Sequence, residues 1–247
     1  MPNPLIELRQ VKMAWPSFRL DIDHLEVFSG EILRVTGSNG SGKTTLLSIL
    51  HLLRKPHKGE VLFDGHPVCF FDRSALLKQC RHIGSILQEP VLLRGQVLNN
   101  VALPLILRGT GRKDAYRAAM PWLERMGLEE MARRPIQTLS GGQARRALFA
   151  RALIHQPRIL LLDEPFSGLD REWRATMRRE LSSLVRDAKT GLVLVSHDEG
   201  DESLRGDRLL EVVNVCPPSS DPRDMENHDK ATCSRTSSVV MMGHRVG

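Results

Sequence analysis

The chain has 247 residues, 41% of them hydrophobic, 26% charged and 4% aromatic, a globular composition long enough for one sizeable α/β domain or for a core with a small appended subdomain. Its formal charge of +6 comes from 35 basic and 29 acidic side chains. These are interleaved rather than massed, which reads as solvated helix faces and argues against a nucleic-acid track. Glu7 and Arg9 fall too early for the apolar stretch of a signal peptide, no apolar run approaches the ~20 residues of a membrane helix, and the four cysteines (Cys69, Cys80, Cys216 and Cys233) contain no CxxC pair that would suggest a zinc site or a disulfide framework.

In chain order, Leu5–Val11 and Leu20–Val27 read as strands, and Glu31–Thr36 is a strand running into a glycine-rich loop. A helical pattern starts at Thr44 and stops at Lys55-Pro56. Gly59–Asp64 with Gly65 predicts a hairpin arm, and Arg81–Gln88 a further strand. From Glu89 to about Leu139 the chain turns helical and proline-broken, which predicts a helical insertion in which Pro121 kinks or restarts its helix. After it come a helix (Gln143–His155), a strand (Arg158–Leu162), a helix (Glu172–Lys189) and a strand (Gly191–Ser196). This alternation argues for a parallel sheet covered on both faces. Beyond Val213 the pattern dissolves, and residues 214–247 are expected to be an irregular tail in which Val239–Met242 forms at most one edge strand.

Three motifs carry chemistry. Gly37-Ser38-Asn39-Gly40-Ser41-Gly42-Lys43-Thr44 fits G-x-x-x-x-G-K-[ST], with Thr45 following it in the helix. Its glycines let successive backbone amides turn inward around a phosphate, the helix behind aims its positive end at the same point, Lys43 reaches the phosphate oxygens and the Thr44 hydroxyl suits Mg²⁺. Ile159-Leu160-Leu161-Leu162-Asp163-Glu164 is an apolar strand that delivers two acids to the carboxyl edge of the sheet. There Asp163 suits the outer shell of Mg²⁺ and Glu164 the polarisation of an attacking water. Leu139-Ser140-Gly141-Gly142-Gln143 opens a helix with Ser140 as its cap, giving a second anion-binding helix end.

Together these motifs resemble the ATP-binding cassette (ABC) transporter ATP-binding proteins over about Leu5 to Val213. The resemblance implies an α/β fold. It would comprise a P-loop NTPase core (1–88 and 140–213), mainly a parallel sheet with an N-terminal antiparallel β subdomain, and a helical signature subdomain at 89–139. It implies ATP and Mg²⁺ as cofactors and further site residues: Gln88 as a Q-loop glutamine contacting Mg²⁺ and the attacking water, Asp170 in a D-loop, His197 as a switch histidine at the γ-phosphate, and Trp15 stacking on adenine. It also implies a head-to-tail homodimer in which each ATP is gripped by one phosphate loop and by the opposing Ser140–Gln143. The implied function is an ATPase subunit of a transporter, peripheral on the cytoplasmic face of the inner membrane through separate transmembrane permease subunits. Its cargo is expected to be a small anion, with lipoprotein release, cell division or another non-transport process as the alternative. Two positions stand apart. Ala144 occurs where many relatives carry a longer polar side chain, and Arg34, inside the strand that feeds the phosphate loop, requires a charged partner or a solvent edge.

Overall fold

Ile159-Leu160-Leu161-Leu162 has no polar side to turn to water, so it becomes a strand buried on both faces. The computed structural model describes residues 3–15, 18–87, 91–196, 204, 207–215 and 235–242, with 15, 18, 213–215 and 235–242 described by backbone alone. In it, β7 (Ile159–Asp163) lies between β6 (Ile83–Ile86) and β8 (Gly191–Val195), parallel to both. Ile159 and Leu161 enter one hydrophobic core together with Val193 and Val195. Leu160 and Leu162 enter a second core with Leu192 and Leu194. The two-residue period of a strand thus sorts one apolar run into two cores.

β3 (Ile32–Thr36) continues the parallel half beside β8, and β9 (Arg208–Val215) lies on its other side, also parallel. The antiparallel half consists of β1 (Ile6–Trp15), β2 (Phe18–Val27), β4 (Lys58–Phe63) and β5 (His66–Pro67). The two halves form one ten-stranded sheet, in the order β5-β4-β1-β2-β10-β9-β3-β8-β7-β6.

The strand that joins them, β10 (Arg235–Met242), corrects the sequence reading. Val239–Met242 is the end of a longer strand, and it pairs with β9 alone, while Arg235–Ser238 also pairs with β2. Its segment lies in the middle of the sheet, parallel to β2 and antiparallel to β9 in the register Thr236↔Val215. The physical reason is that β2 and β9 would otherwise meet with unpaired backbone groups, and a strand between them pairs Phe18–Asp21 of β2 and Leu209–Val215 of β9. Its Ser- and Met-rich sequence has no alternation to announce this.

Helix α1 (Lys43–Leu50) packs Leu46, Leu47, Ile49 and Leu50 into the core shared with the antiparallel half. The short α2 (Arg73–Cys80), not foreseen from sequence, is capped by Asp72, which accepts from the amides of Ser74 and Ala75, and it buries no residue fully. The helical insertion comprises α3 (Val97–Leu107) and α4 (Arg112–Arg125), whose Val97, Val101, Ala115, Ala119 and Leu123 share the second core with α5 (Gly141–Leu153) and α6 (Arg171–Asp187). α4 runs through Pro121 without restarting. The proline sits on the exposed face, where the carbonyl it orphans can turn to water. Among the described residues, no helix is long and apolar enough to cross a membrane.

Candidate functional site

The parallel strands all deliver the chain to one edge of the sheet, and there the first two motifs meet. The loop after β3 holds Gly37, Gly40 and Gly42 at φ of +143°, +78° and +106°, left-handed values that favour glycine. At Gly37 the constraint is also spatial, because a Cβ there would lie 2.3 Å from the Val212 carbonyl oxygen of β9. Gly42 is the N-cap of α1 and, having no side chain, gives that helix no side-chain cap. The loop closes on itself through Lys43, whose Nζ donates to the carbonyls of Gly37 (2.7 Å) and Ser38 (2.9 Å). Lys43 is 9% exposed, and burial pushes its pKa down against the opposing pull of Asp163 and Glu164.

Asp163, 3% exposed at the end of β7, accepts a hydrogen bond of 3.1 Å from the Thr44 hydroxyl. Two motifs more than a hundred residues apart in sequence thus share one contact, and the pair supplies the hard oxygen donors that Mg²⁺ takes. Glu164 follows at φ +47°, a left-handed value uncommon outside glycine, with its amide donating to Val195 O at 3.0 Å. Inside the loop the Ser41 hydroxyl is buried without a hydrogen-bond partner. A loop with uncapped amides, an orphaned hydroxyl and an ammonium resting on carbonyls has donors to spare and fits an anionic phosphate chain.

The third motif forms the helix start that its residues predict. Ser140 caps α5 in a capping box: Gln143 N donates to Ser140 Oγ at 3.3 Å, and Ser140 N donates to Gln143 Oε1 at 2.9 Å. Of the first four amides, the box satisfies two. The two that remain belong to Gly141 and Gly142 and have no backbone partner among the described residues.

Arg145 is a site residue that sequence reasoning passed over. Its guanidinium lies within electrostatic reach of Asp163 and Glu164, which oppose the lowering of its pKa by burial, and its Nη1 is buried without a hydrogen-bond partner. The available signal was helical spacing, since Arg145 falls one turn after Gly141. Asp170 is the N-cap of α6 and accepts from Trp173 N at 2.9 Å. Arg34 borders a solvent-open cleft of about 540 Å³ beside the phosphate loop, together with Thr36, Gly37, Ser38, Ser196 and Glu211. Gln88, His197 and the Trp15 side chain lie outside the described residues; the backbone of Trp15 ends β1 opposite Phe18.

Residues 20–167 match the family model described as ABC transporter. The chain is 35% identical over 231 residues to the sulfate/thiosulfate import ATP-binding protein CysA of Pectobacterium atrosepticum, covering 90% of this chain and 68% of that protein. It is 34% identical over 212 residues to the spermidine/putrescine import ATP-binding protein PotA of Legionella pneumophila, covering 85% of this chain but only 57% of PotA. Among solved structures, the ATP-binding cassette MJ0796, a dimer bound to ADP and Pi, superposes with a TM-score of 0.75 at 30% identity, over 83% of this chain and 93% of that one.

Proposed function

The chain belongs to the ABC transporter family, and on that footing we propose that it is an ATPase subunit that couples ATP binding and hydrolysis in a dimer to separate membrane permease subunits importing a small polar solute. The observation that carries this reading is the hydrogen bond between Thr44 and Asp163 at the foot of the glycine loop. It joins a phosphate cradle to a carboxylate placed to help hold Mg²⁺, the combination that phosphoryl transfer requires.

In this reading the loop amides and Lys43 bind the β- and γ-phosphates, and Lys43 exchanges its two carbonyl partners for phosphate oxygens. Thr44 and Asp163 would hold Mg²⁺, which neutralises charge on the phosphate oxygens, with Gln88 as a further ligand. Glu164 orients the attacking water and accepts its proton, His197 approaches the γ-phosphate, and Trp15 stacks on the adenine. Gly141 and Gly142 of a second copy offer their free amides to the same triphosphate, so that ATP closes the dimer and hydrolysis opens it. MJ0796, captured as a nucleotide-bound dimer in a post-hydrolysis state, supports pairing of two cassettes.

Relatives named for import of polyamine (PotA), sulfate or thiosulfate (CysA) and methionine (MetN, from Burkholderia ambifaria) differ in cargo charge while sharing one nucleotide-binding domain. That spread supports small polar solutes as the class. The small-anion reading within it draws on the likeness to CysA. Docking to permease subunits would place the chain at the cytoplasmic face of the inner membrane.

The test is light scattering of Glu164→Gln with and without Mg-ATP. The variant should be monomeric without nucleotide, dimeric with it, and reduced in turnover by two orders of magnitude or more, whereas Lys43→Ala should lose nucleotide binding. A Glu164→Gln protein that stays monomeric in both conditions would overturn the dimer. One that hydrolyses ATP at the parental rate would overturn the role given to Glu164.

A further inference from the structure

Three helix ends meet on one indole ring. Arg146, in the second turn of α5, holds its guanidinium 3.9 Å from the centre of the Trp173 ring and donates from Nη1 to the Met126 carbonyl at 2.6 Å. Trp173 belongs to the first turn of α6, where its own amide is taken by Asp170. α4 ends in a Schellman turn, with Gly127 N on Glu124 O at 2.9 Å, Leu128 N on Leu123 O at 2.8 Å, and Gly127 at φ +58°. A Cβ on Gly127 would come within 2.9 Å of Trp173 Cζ2 and 3.1 Å of Arg146 Nη1, so this turn is bare at the place where the ring and the guanidinium press on it. Closer to the motifs, a Cβ on Gly142 would lie 3.3 Å from the Gly168 carbonyl oxygen, which puts the start of α5 against the turn that leads into α6.

We propose that Arg146 and Trp173 are positioning residues that lock the Ser140–Gln143 helix start and the Asp170 turn into one rigid edge, so that both reach the nucleotide of a second protomer in register. The inference rests on the ATP-closed dimer proposed above. Its physical content is that the two elements belong to different parts of the chain, one leaving the helical insertion and the other following β7, and each could shift alone. A guanidinium stacked on an indole while donating to a helix-terminal carbonyl is planar and directional, which an ammonium cannot reproduce. If the cluster only fills space, its loss should alter stability and leave the balance between nucleotide binding and dimer closure where it was.

The experiment compares Trp173→Ala, Trp173→Phe and Arg146→Lys, each placed in Glu164→Gln. Nucleotide affinity of the monomer is measured with a fluorescent ATP analogue at protein concentrations below dimerisation, and dimer affinity by sedimentation in Mg-ATP. Trp173→Ala and Arg146→Lys should weaken the dimer about tenfold, the ratio that a contact of ~1.4 kcal/mol supports, while monomer affinity moves less than about twofold. Trp173→Phe, which keeps an aromatic face, should recover most of the loss. Dimerisation of Trp173→Ala at parental strength, or a fall in monomer affinity equal to that of the dimer, would overturn the positioning role. If Trp173→Ala does not fold, Arg146→Lys decides on the same criteria. A Glu164→Gln parent that remains monomeric in Mg-ATP would sink the dimer itself and this inference with it, whereas a dimeric parent with unaffected variants would sink this inference alone.

Discussion

The starts of α1 and α5 are both glycine-rich helix ends reached from an ordered element, yet they are built on opposite plans. α1 has no side-chain cap, and its preceding loop is held by left-handed glycines and by Lys43 on two carbonyls. α5 is closed by a full capping box and keeps only the amides of its two glycines uncommitted. The glycines differ in the same sense. Gly37 is required by its own protomer, since β9 leaves no room for a side chain there. Gly141 has nothing within 4 Å of a built Cβ and no left-handed φ. One helix start is shaped by what lies inside the chain. The other carries a glycine that the chain itself does not need, and that contrast is what a partner supplying the missing contact would explain.

The strongest way to break this contrast is at Gly37. Gly37→Ala places a methyl 2.3 Å from the Val212 carbonyl and 2.8 Å from Ser41 Oγ, at φ +143°. Backbone strain and a backbone clash together should cost about 3 kcal/mol or more. Chemical denaturation should show that loss, and nucleotide affinity should fall with it because the amides no longer converge. Unchanged stability would mean that the loop is not wedged against β9.

The far ends of the same two helices offer a second contrast with their starts. His51 is the C-cap of α1, and His155 follows the C-cap of α5. A protonated imidazole at a helix C-terminus would be favoured by the dipole, yet burial dominates and pushes each pKa from its ordinary 6.5 down to about 4. For His155, Arg108 adds to the lowering. Between those values the unfolded chain binds protons that the folded chain refuses, so stability falls as pH drops below 6.5. At about 1.4 kcal/mol per unit for each group, the step from pH 7.0 to 5.5 should remove about 2 to 3 kcal/mol in urea unfolding. His155→Gln should remove roughly half of that pH dependence. A variant with the parental slope would show that His155 is not the group responsible.

These contrasts also explain what could be read in advance. The phosphate loop, the Asp163-Glu164 strand end and the Ser140 cap were legible because each is written in consecutive residues whose backbone needs are local. β10 was not, because its place between β2 and β9 is decided by what those strands lack and not by its own Ser- and Met-rich pattern. Pro121 promised a kink or a restart, and the helix continues through it without a restart, since an exposed position lets water take the freed carbonyl. Arg145 and Trp173 stood in plain view but acquire their meaning only when the fold brings the first turns of α5 beside the end of β7 and the start of α6, a tertiary fact that no single stretch records. Helix α2 escaped notice for a related reason: it buries no full residue and so has no apolar stripe, and only Asp72 signals its start.

The smallest expected effect on stability is the one that decides the comparison. Gly141→Ala adds a methyl into open space at the first position of α5, where alanine is the better helix former, so stability should stay constant or rise by up to ~1 kcal/mol. The same methyl would stand beside the two uncommitted amides, where an anion from outside the chain has to approach. In Glu164→Gln, Gly141→Ala should therefore leave monomer nucleotide affinity within about twofold and weaken the Mg-ATP dimer at least tenfold, or ~1.4 kcal/mol. Gly142→Ala is the matching control, because its methyl would meet the Gly168 carbonyl at 3.3 Å and so should disturb the protomer as well. If Gly141→Ala closes the dimer as readily as its parent, the glycine answers to nothing outside the chain, and the two helix starts differ only in how they are capped.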